Sequence, residues 1–135
     1  MTNPNLLADW TTPQPFALPD LGAGVDGALC DQLEAPLRRI AADPAVKALV
    51  LFGSRATGTA RPDSDFDLLV VERAPKLEPE AKVASWWRYF QPLQSNPLPV
   101  DLIVSGCADA ERLAGSRWHG ISEAARQGRV LVVQP

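Results

Sequence analysis

The hydrophobic and polar positions along the chain define two kinds of segment. Apolar runs of strand length occupy residues 48–52, 65–71, 99–104 and 129–133. Segments with helical spacing or helical composition occupy residues 28–42, 81–93, 109–113 and 120–127. Because helices and strands alternate, the pattern predicts an α/β (α+β) fold, with a small mixed β-sheet and helices packed mainly on one face.

The first 26 residues differ in composition from the rest of the chain. Residues 1–26 form a proline-rich extension whose charges are all acidic, and residues 27–135 form the predicted domain. We expect the extension to be an irregular arm. Its large apolar residues attach it to the domain or to a partner, with a poorly ordered terminus as the alternative; they are Trp10, Phe16 and Leu18.

A GxGxxG pattern, Gly22-Ala-Gly-Val-Asp-Gly27, spans the end of this extension. The dinucleotide-binding fingerprint requires a strand immediately before the first glycine. Pro19 disfavours a strand at that place. We therefore interpret residues 22–27 as a loop that begins a helix.

Size, charge and cysteine content restrict the function classes. A length of 135 residues suits one domain, and a formal net charge of −3 disfavours non-specific nucleic acid binding. Cys30 and Cys107 are isolated and lack histidine partners at ligand spacing, so no zinc site is expected. The N-terminus does not resemble a signal peptide and no run reaches membrane-spanning length, so we expect a cytoplasmic location.

The chain contains a single histidine, His119. A lone histidine is more often structural or merely exposed than catalytic. No nucleophile-elbow pattern accompanies it, which argues against a Ser/His/Asp hydrolase.

Candidate chemistry begins where the apolar run 48–52 ends. Gly53-Ser54 is a turn or a helix start. A serine in the first turn of a helix offers its hydroxyl and nearby backbone N–H groups to a phosphate. Arg55 and Arg61 add positive charge nearby. A phosphate-binding turn is therefore expected here.

Two carboxylates open the next strand. Asp65 and Asp67 are two residues apart, so in a strand they project to one face while Phe66 packs on the other. Adjacent carboxylates repel unless a cation lies between them. Mg²⁺ is the natural occupant because it prefers hard oxygen ligands.

A third carboxylate, Asp101, interrupts the apolar run 99–104. If this strand pairs beside the Asp67 strand with Asp101 on the same face, three carboxylates share one site. Such a site suits a two-metal phosphoryl or nucleotidyl transfer. In the connecting loop, Ser64 is either a turn residue or a further contact with the phosphates.

These residues together resemble a known signature. Gly53-Ser54, ten residues, Asp65-Phe66-Asp67 and a later strand with Asp101 are similar to the signature of the nucleotidyltransferase superfamily related to DNA polymerase beta. The similarity is strongest to its small bacterial branch, the minimal nucleotidyltransferases, and covers about residues 28–133. It implies that residues 27–135 are a nucleotidyltransferase domain. Thr57 departs from the pattern, which commonly has a second arginine there.

The resemblance implies roles for the matching residues. The nucleotide-binding candidates are Gly53, Ser54, Arg55 and Ser64. The catalytic and metal-binding candidates are Asp65, Asp67 and Asp101. Two Mg²⁺ ions are implied as cofactors and ATP as a substrate. Asp101 would also help to deprotonate the acceptor.

The reaction implied by the resemblance is Mg²⁺-dependent transfer of NMP, most simply AMP from ATP, to an acceptor hydroxyl. Minimal nucleotidyltransferases are similar in role to antitoxins that adenylylate a tyrosine of a HEPN ribonuclease toxin. The chain lacks the extra helical domain of larger members, so we expect another chain to help bind the acceptor. A small-molecule transferase of the aminoglycoside type and a non-catalytic nucleotide- or partner-binding module are the alternatives.

Residues 81–93 contain two adjacent tryptophans, Trp86 and Trp87. Neighbouring positions on a helix cannot share one narrow stripe, so we expect one tryptophan to face the sheet and the other to face outward or toward a neighbour. Either both complete the local core, or an exposed tryptophan anchors a partner.

Overall fold

The computed structural model describes residues 8–117 and 119–135. Four strands form one sheet: β1 (Val46–Phe52), β2 (Phe66–Glu72), β3 (Val100–Gly106) and β4 (Arg129–Val133). The helices are α1 (Gly27–Ala41), α2 (Ser54–Thr57), α3 (Pro79–Phe90), α4 (Cys107–Ala114) and α5 (Gly120–Gln127), and a 3₁₀ turn follows α3 at Gln91–Leu93. Each strand and helix that the pattern predicts is present. None of the helices in the described ranges has the length and apolar character needed to span a bilayer.

The sheet has the strand order β3-β2-β1-β4. β1 is antiparallel to both of its neighbours, whereas β2 and β3 are parallel. A parallel pair requires a crossover, and α3 provides it. The sheet is small and mixed, as predicted. Because of these directions, the C-terminal end of β1 meets the N-terminal ends of β2 and β3 at one edge of the sheet.

Helices cover both faces of the sheet. On one face α1 and α3 contribute residues such as Leu37 and Tyr89, which pack with Leu68 of β2. On the other face α4 and α5 contribute residues such as Ala110 and Ile121. The two longest helices, α1 and α3, share one face, and α4 and α5 cover the opposite face. Both faces can be covered because the strands carry apolar residues on both sides of the sheet.

Helix α1 begins where the GxGxxG segment ends. Asp26 is its N-cap, and the Asp26 carboxylate accepts a hydrogen bond from the Leu29 N–H at 2.8 Å. Pro36 lies inside α1 without dividing it into two elements. The interpretation of residues 22–27 as a loop that begins a helix is confirmed.

The described part of the N-terminal extension is attached to the domain. Gln14 and Val133 exchange backbone hydrogen bonds of 3.0 Å in each direction, so the arm pairs with β4. Trp10 is buried on the α4/α5 side of the sheet, and Leu21 is buried on the α1/α3 side. Of the outcomes considered for the arm, attachment to the domain is the one observed. Residues 1–7 lie outside the described residues, and the boundary after residue 26 stays a prediction.

The two tryptophans of α3 have different surroundings. The Trp86 indole N–H donates to the Leu102 carbonyl at 2.9 Å, and its ring stacks on Phe90 at a centroid distance of 4.6 Å. Trp87 is 56% exposed, and Val83 one turn earlier is 59% exposed. One tryptophan therefore faces the sheet and the other faces outward, as expected, and the two do not both complete the core.

Candidate active site

The candidate site lies where β1 ends and where β2 and β3 begin. Gly53 directly follows β1 and has a φ of 74° and a ψ of −161°, a region that is essentially restricted to glycine. The Asp67 carboxylate packs against the Gly53 α-carbon and takes up the space that a Cβ would fill. Position 53 therefore requires glycine for its backbone conformation and for the room that it leaves to Asp67.

Asp67 and Asp101 are paired across the parallel strands β2 and β3. Along β2, Leu68 and Val70 pack in the α1/α3 core, whereas Leu69 packs in the α4/α5 core. Asp67 shares the alternation of Leu69, so its carboxylate lies at the edge of the α4/α5 face. The predicted pairing of these two strands, with the two aspartates on one face, is confirmed.

Asp65 lies outside the strand that it was expected to open. β2 begins one residue later, at Phe66, whose N–H donates to the Pro99 carbonyl at 2.8 Å. Asp65 is exposed. Its negative charge nevertheless acts on Asp67, so the two carboxylates belong to one electrostatic group.

The pKa of Asp67 is raised to about 6, and burial of the carboxylate is the largest cause. The negative charges of Asp101, Asp65 and Glu123 also contribute to the rise, in that order, and the Arg55 guanidinium opposes it. A half-buried carboxylate surrounded by like charges binds a proton more tightly than usual. A metal cation at the same place would relieve the same repulsion.

The acidic group fits a divalent cation that also binds phosphate. Within the described part of the chain, no three acidic, histidine or cysteine side chains converge closely enough to hold an ion by themselves. Mg²⁺ is usually held by one or two carboxylates, with waters and substrate phosphates as its other ligands. Asp67 and Asp101 match that requirement, and the set of three carboxylate ligands stays a prediction.

Ser54 is the first residue of α2 and directly follows Gly53. Ser54 is partly exposed, so a ligand can reach it. This position agrees with the expected phosphate-binding turn, whose binding function stays a prediction.

Arg55 does not occupy the position expected of a phosphate ligand. It is 2% exposed. Its guanidinium donates to the backbone carbonyls of Leu21, Ala23, Arg61, Pro62 and Ser64. Because its N–H groups are bonded inside the protein, Arg55 could contact a phosphate only by breaking these bonds. The structure therefore argues against its predicted role in nucleotide binding.

Ser64 closes the turn of the connecting loop. Its hydroxyl accepts a hydrogen bond from the Arg61 N–H at 2.7 Å, and its carbonyl accepts from Arg55 at 3.0 Å. These contacts agree with the turn-residue interpretation. A direct contact between Ser64 and a phosphate stays a prediction.

Thr57 is exposed at the end of α2. Its hydroxyl lies 3.0 Å from the Thr59 hydroxyl. From the neighbouring strand β4, the Arg129 guanidinium donates to the Ala56 carbonyl at 3.2 Å. A guanidinium is therefore present beside the position where the family motif commonly has its second arginine.

Glu123, which the sequence did not indicate as part of the site, lies in the first turn of α5 and is partly buried. Gly120, at the start of the same helix, packs against Ile103 of β3, which brings this turn close to the acidic edge of the sheet. His119 is the N-cap of α5, since its Nδ1 accepts from the Ile121 N–H at 3.1 Å. The lone histidine therefore has a structural contact. For Glu123, the amphipathic pattern of residues 120–127 is the one sequence signal that could have placed it beside the site.

A family model described as a nucleotidyltransferase domain matches residues 31–130. The chain belongs to this family. The resemblance inferred from the glycine-serine turn and the three aspartates is confirmed, and the protein is a nucleotidyltransferase by family. No curated protein matches the sequence.

Several solved structures are similar to this nucleotidyltransferase. A Sulfolobus solfataricus protein assigned as a nucleotidyltransferase is 20% identical over 76% of this chain and 78% of that chain, with a TM-score of 0.52. A complex of a tri-AMPylated Shewanella oneidensis HEPN toxin with an MNT antitoxin gives 20% identity, 79% and 71% coverage and a TM-score of 0.42. A toxin-antitoxin complex with AMP-PNP gives 21% identity, 77% and 73% coverage and a TM-score of 0.43. The similarity to the Sulfolobus protein supports the nucleotidyltransferase fold.

Proposed function

We propose that the protein transfers NMP, most simply AMP from ATP, to an acceptor hydroxyl in a Mg²⁺-dependent reaction. The observation that carries this proposal is the pairing of Asp67 with Asp101 directly beside Gly53. Paired carboxylates next to a glycine-serine turn at the start of a helix suit a metal-assisted transfer between oxygen atoms. Membership in the nucleotidyltransferase family supports a nucleotide as the donor.

On this proposal each residue has a distinct task. Gly53 leaves room for the Asp67 carboxylate at the end of β1, and the Ser54 hydroxyl donates to a phosphate oxygen. Asp67 and Asp101 would hold the metal, with Asp65 contributing from the loop before β2.

When bound, Mg²⁺ would lower the pKa of the attacking hydroxyl and offset charge on the leaving pyrophosphate. Asp101 is exposed and therefore open to an acceptor, which makes it the carboxylate proposed to take the acceptor's proton. Asp67, with a pKa of about 6, is mostly ionised at neutral pH. The ionised form is the one that binds a cation.

We assign the acceptor hydroxyl to a tyrosine of a HEPN-type toxin, which extends the resemblance to the minimal nucleotidyltransferases. The exposed pair Val83 and Trp87 on α3 supports a protein partner, because exposed tryptophans are enriched at protein interfaces. A cytoplasmic location, where ATP and Mg²⁺ are both available, is part of this proposal.

The test is transfer of label from α-labelled ATP in the presence of Mg²⁺. The purified protein is incubated alone and with the product of the neighbouring reading frame, and the Asp67→Asn variant serves as the inactive control. Label on the partner that requires an intact Asp67 would support protein adenylylation. Absence of label on any protein, despite measurable Mg-ATP binding, would contradict the tyrosine acceptor and favour a small-molecule acceptor or a non-catalytic binding module.

A further inference from the structure

The Arg55 guanidinium connects the N-terminal extension to the loop that precedes β2. Toward the extension, Nη1 donates to the carbonyls of Leu21 at 2.8 Å and Ala23 at 2.9 Å. Toward the loop, Nε and Nη2 donate to the Ser64 carbonyl at 3.2 and 3.0 Å. Nη2 also reaches the carbonyls of Arg61 at 3.2 Å and Pro62 at 3.4 Å. We call this set the Arg55 clasp: the guanidinium and the carbonyls of Leu21, Ala23, Arg61, Pro62 and Ser64.

The extension and the loop also touch each other directly. Gly24 has a φ of +83°, and a Cβ added there would lie 2.7 Å from the Pro62 α-carbon and 2.8 Å from the Pro62 carbonyl oxygen. Both are backbone atoms, so they cannot rotate out of the way. Gly22, with a φ of +85°, is less tightly packed, since a Cβ there would lie 3.4 Å from the Ala60 Cβ. Gly24 therefore allows the close approach of the two backbones.

The contacts of the clasp restrain the residue that follows Ser64. Two of the guanidinium bonds end on the Ser64 carbonyl, which belongs to the planar peptide unit joining Ser64 to Asp65. On the other side of Asp65, the Phe66 N–H is bonded to the Pro99 carbonyl. Asp65 is exposed and outside the strand, yet its backbone is held on both sides.

We propose that the Arg55 clasp positions Asp65 for the transfer reaction, so that residues 21–24 of the extension contribute to activity without contacting the nucleotide. This inference rests on the proposed function. On this inference, the buried Arg55 and the GxGxxG segment both serve to position Asp65, and Arg55 is a positioning residue.

The sharpest variant is Gly24→Ala, because one added methyl group must displace Pro62. Gly27→Ala is the matched control, since a Cβ at Gly27 meets no atom within 4 Å and the residue only begins α1. We expect kcat of Gly24→Ala to fall by roughly a hundredfold, the effect of a misplacement of about 1 Å. The KM for ATP should change by less than about threefold, because Gly53 and Ser54 are untouched. Gly27→Ala should match the wild type in both constants.

Two measurements test the Arg55 clasp without requiring nucleotide transfer. Amide hydrogen exchange of residues 61–66, measured without nucleotide, should be faster in Gly24→Ala than in Gly27→Ala. Mn²⁺ binding in the presence of a non-hydrolysable ATP analogue, followed by electron paramagnetic resonance, should be weaker in Gly24→Ala. If Gly24→Ala does not fold, Arg55→Lys takes its place, since a single ammonium cannot span both sides of the clasp.

The outcomes separate this inference from the proposed function. A Gly24→Ala protein with wild-type kcat, or with a loss confined to the KM for ATP, would overturn the positioning role. Unchanged hydrogen exchange over 61–66 would overturn the clasp itself. If the wild type neither transfers nucleotide nor binds Mn²⁺ with the analogue, the proposed function fails and the positioning role fails with it, while the exchange data still report on the clasp.

Discussion

Asp67 and Asp101 are direct partners across β2 and β3, with both carboxylates at the same edge of the sheet. When both carboxylates are ionised they repel each other, and this repulsion contributes to the raised pKa of the half-buried Asp67. The metal-free protein therefore carries an electrostatic cost at the place where the proposed reaction needs a cation.

Neutralising either Asp65 or Asp67 should abolish nucleotide transfer and leave the fold intact. Asp67→Asn and Asp65→Asn each remove a proposed metal ligand, so we expect activity to fall by at least about a hundredfold. Transfer assays together with circular dichroism measure the two effects separately.

Asp63→Asn is the matched control for this pair. Asp63 is exposed in the turn of the same loop, and the substitution makes the same change in charge and volume. It should retain wild-type activity. Full activity in Asp67→Asn would show that the site is assigned to the wrong residues.

The stability of the metal-free protein should depend on the charge of Asp67. Its folded-state pKa of about 6 exceeds the unfolded value of about 4, so the folded state binds the proton more tightly. The stabilisation from that proton is fully present below about pH 4 and is lost as the pH rises through about 6. Asp67→Asn should therefore raise the free energy of unfolding at pH 8 by about 1–2 kcal/mol relative to wild type, after allowance for solvent screening.

Urea unfolding at pH 4 and pH 8, with a chelator present, measures this difference. The advantage of Asp67→Asn should be small at pH 4. Glu123→Gln should also raise the free energy of unfolding at pH 8, but by less, because Glu123 contributes least of the three acidic residues that raise the pKa of Asp67. A variant that is less stable than wild type at pH 8 would contradict the repulsion argument.

Asp101→Asn should separate nucleotide binding from turnover. Asp101 is exposed and proposed to accept the acceptor's proton, while Gly53 and Ser54 remain available for the phosphates. We expect part of the Mg-ATP binding to be retained and turnover to fall by roughly a hundredfold or more. Calorimetric titration with ATP and single-turnover kinetics give the two quantities, and equal losses in both would disprove the division of roles.

Gly53→Ala should damage both stability and activity. Its conformation is essentially restricted to glycine, which costs about 1–3 kcal/mol in any other residue. The new methyl group would also displace the Asp67 carboxylate. Thermal unfolding and the transfer assay should therefore both show a loss.

Gly58→Ala is the comparison for that variant. Gly58 also has a positive φ, of 81°, but a Cβ there meets nothing within 4 Å. It should lose about 1 kcal/mol of stability and keep its activity. If both variants lose activity equally, backbone strain and not the position of the carboxylate explains the effect.

Local patterns were sufficient to predict the elements and much of the candidate site. Apolar runs and helical spacing act over a few residues, so the strands and helices were predicted close to their observed positions. The register of Asp67 and Asp101 followed from the period of two in a strand and from the assumption that the two strands are neighbours. Asp65 was misplaced by one residue, because strand ends depend on pairing partners.

The residues that were interpreted incorrectly or missed depend on contacts between distant segments. An arginine directly after a glycine-serine turn suggests phosphate binding, but Arg55 is buried and donates to carbonyls of the extension and of the loop before β2. Glu123 reaches the site only because α5 packs over the sheet beside β1. Neither the contacts of Arg55 nor the position of Glu123 can be predicted from the spacing of residues in the sequence.

The sequence by itself determined the order of helices and strands, the glycine at position 53 and the aspartates of the candidate site, because propensity and periodicity are local. Tertiary structure alone decided which carboxylates raise the pKa of Asp67 and which carbonyls bind Arg55. It also decided that residues 8–26 pack against β4 and the sheet's two cores. Desolvation and charge interactions depend on distances between segments far apart in the chain, and those distances exist only after the sheet has formed.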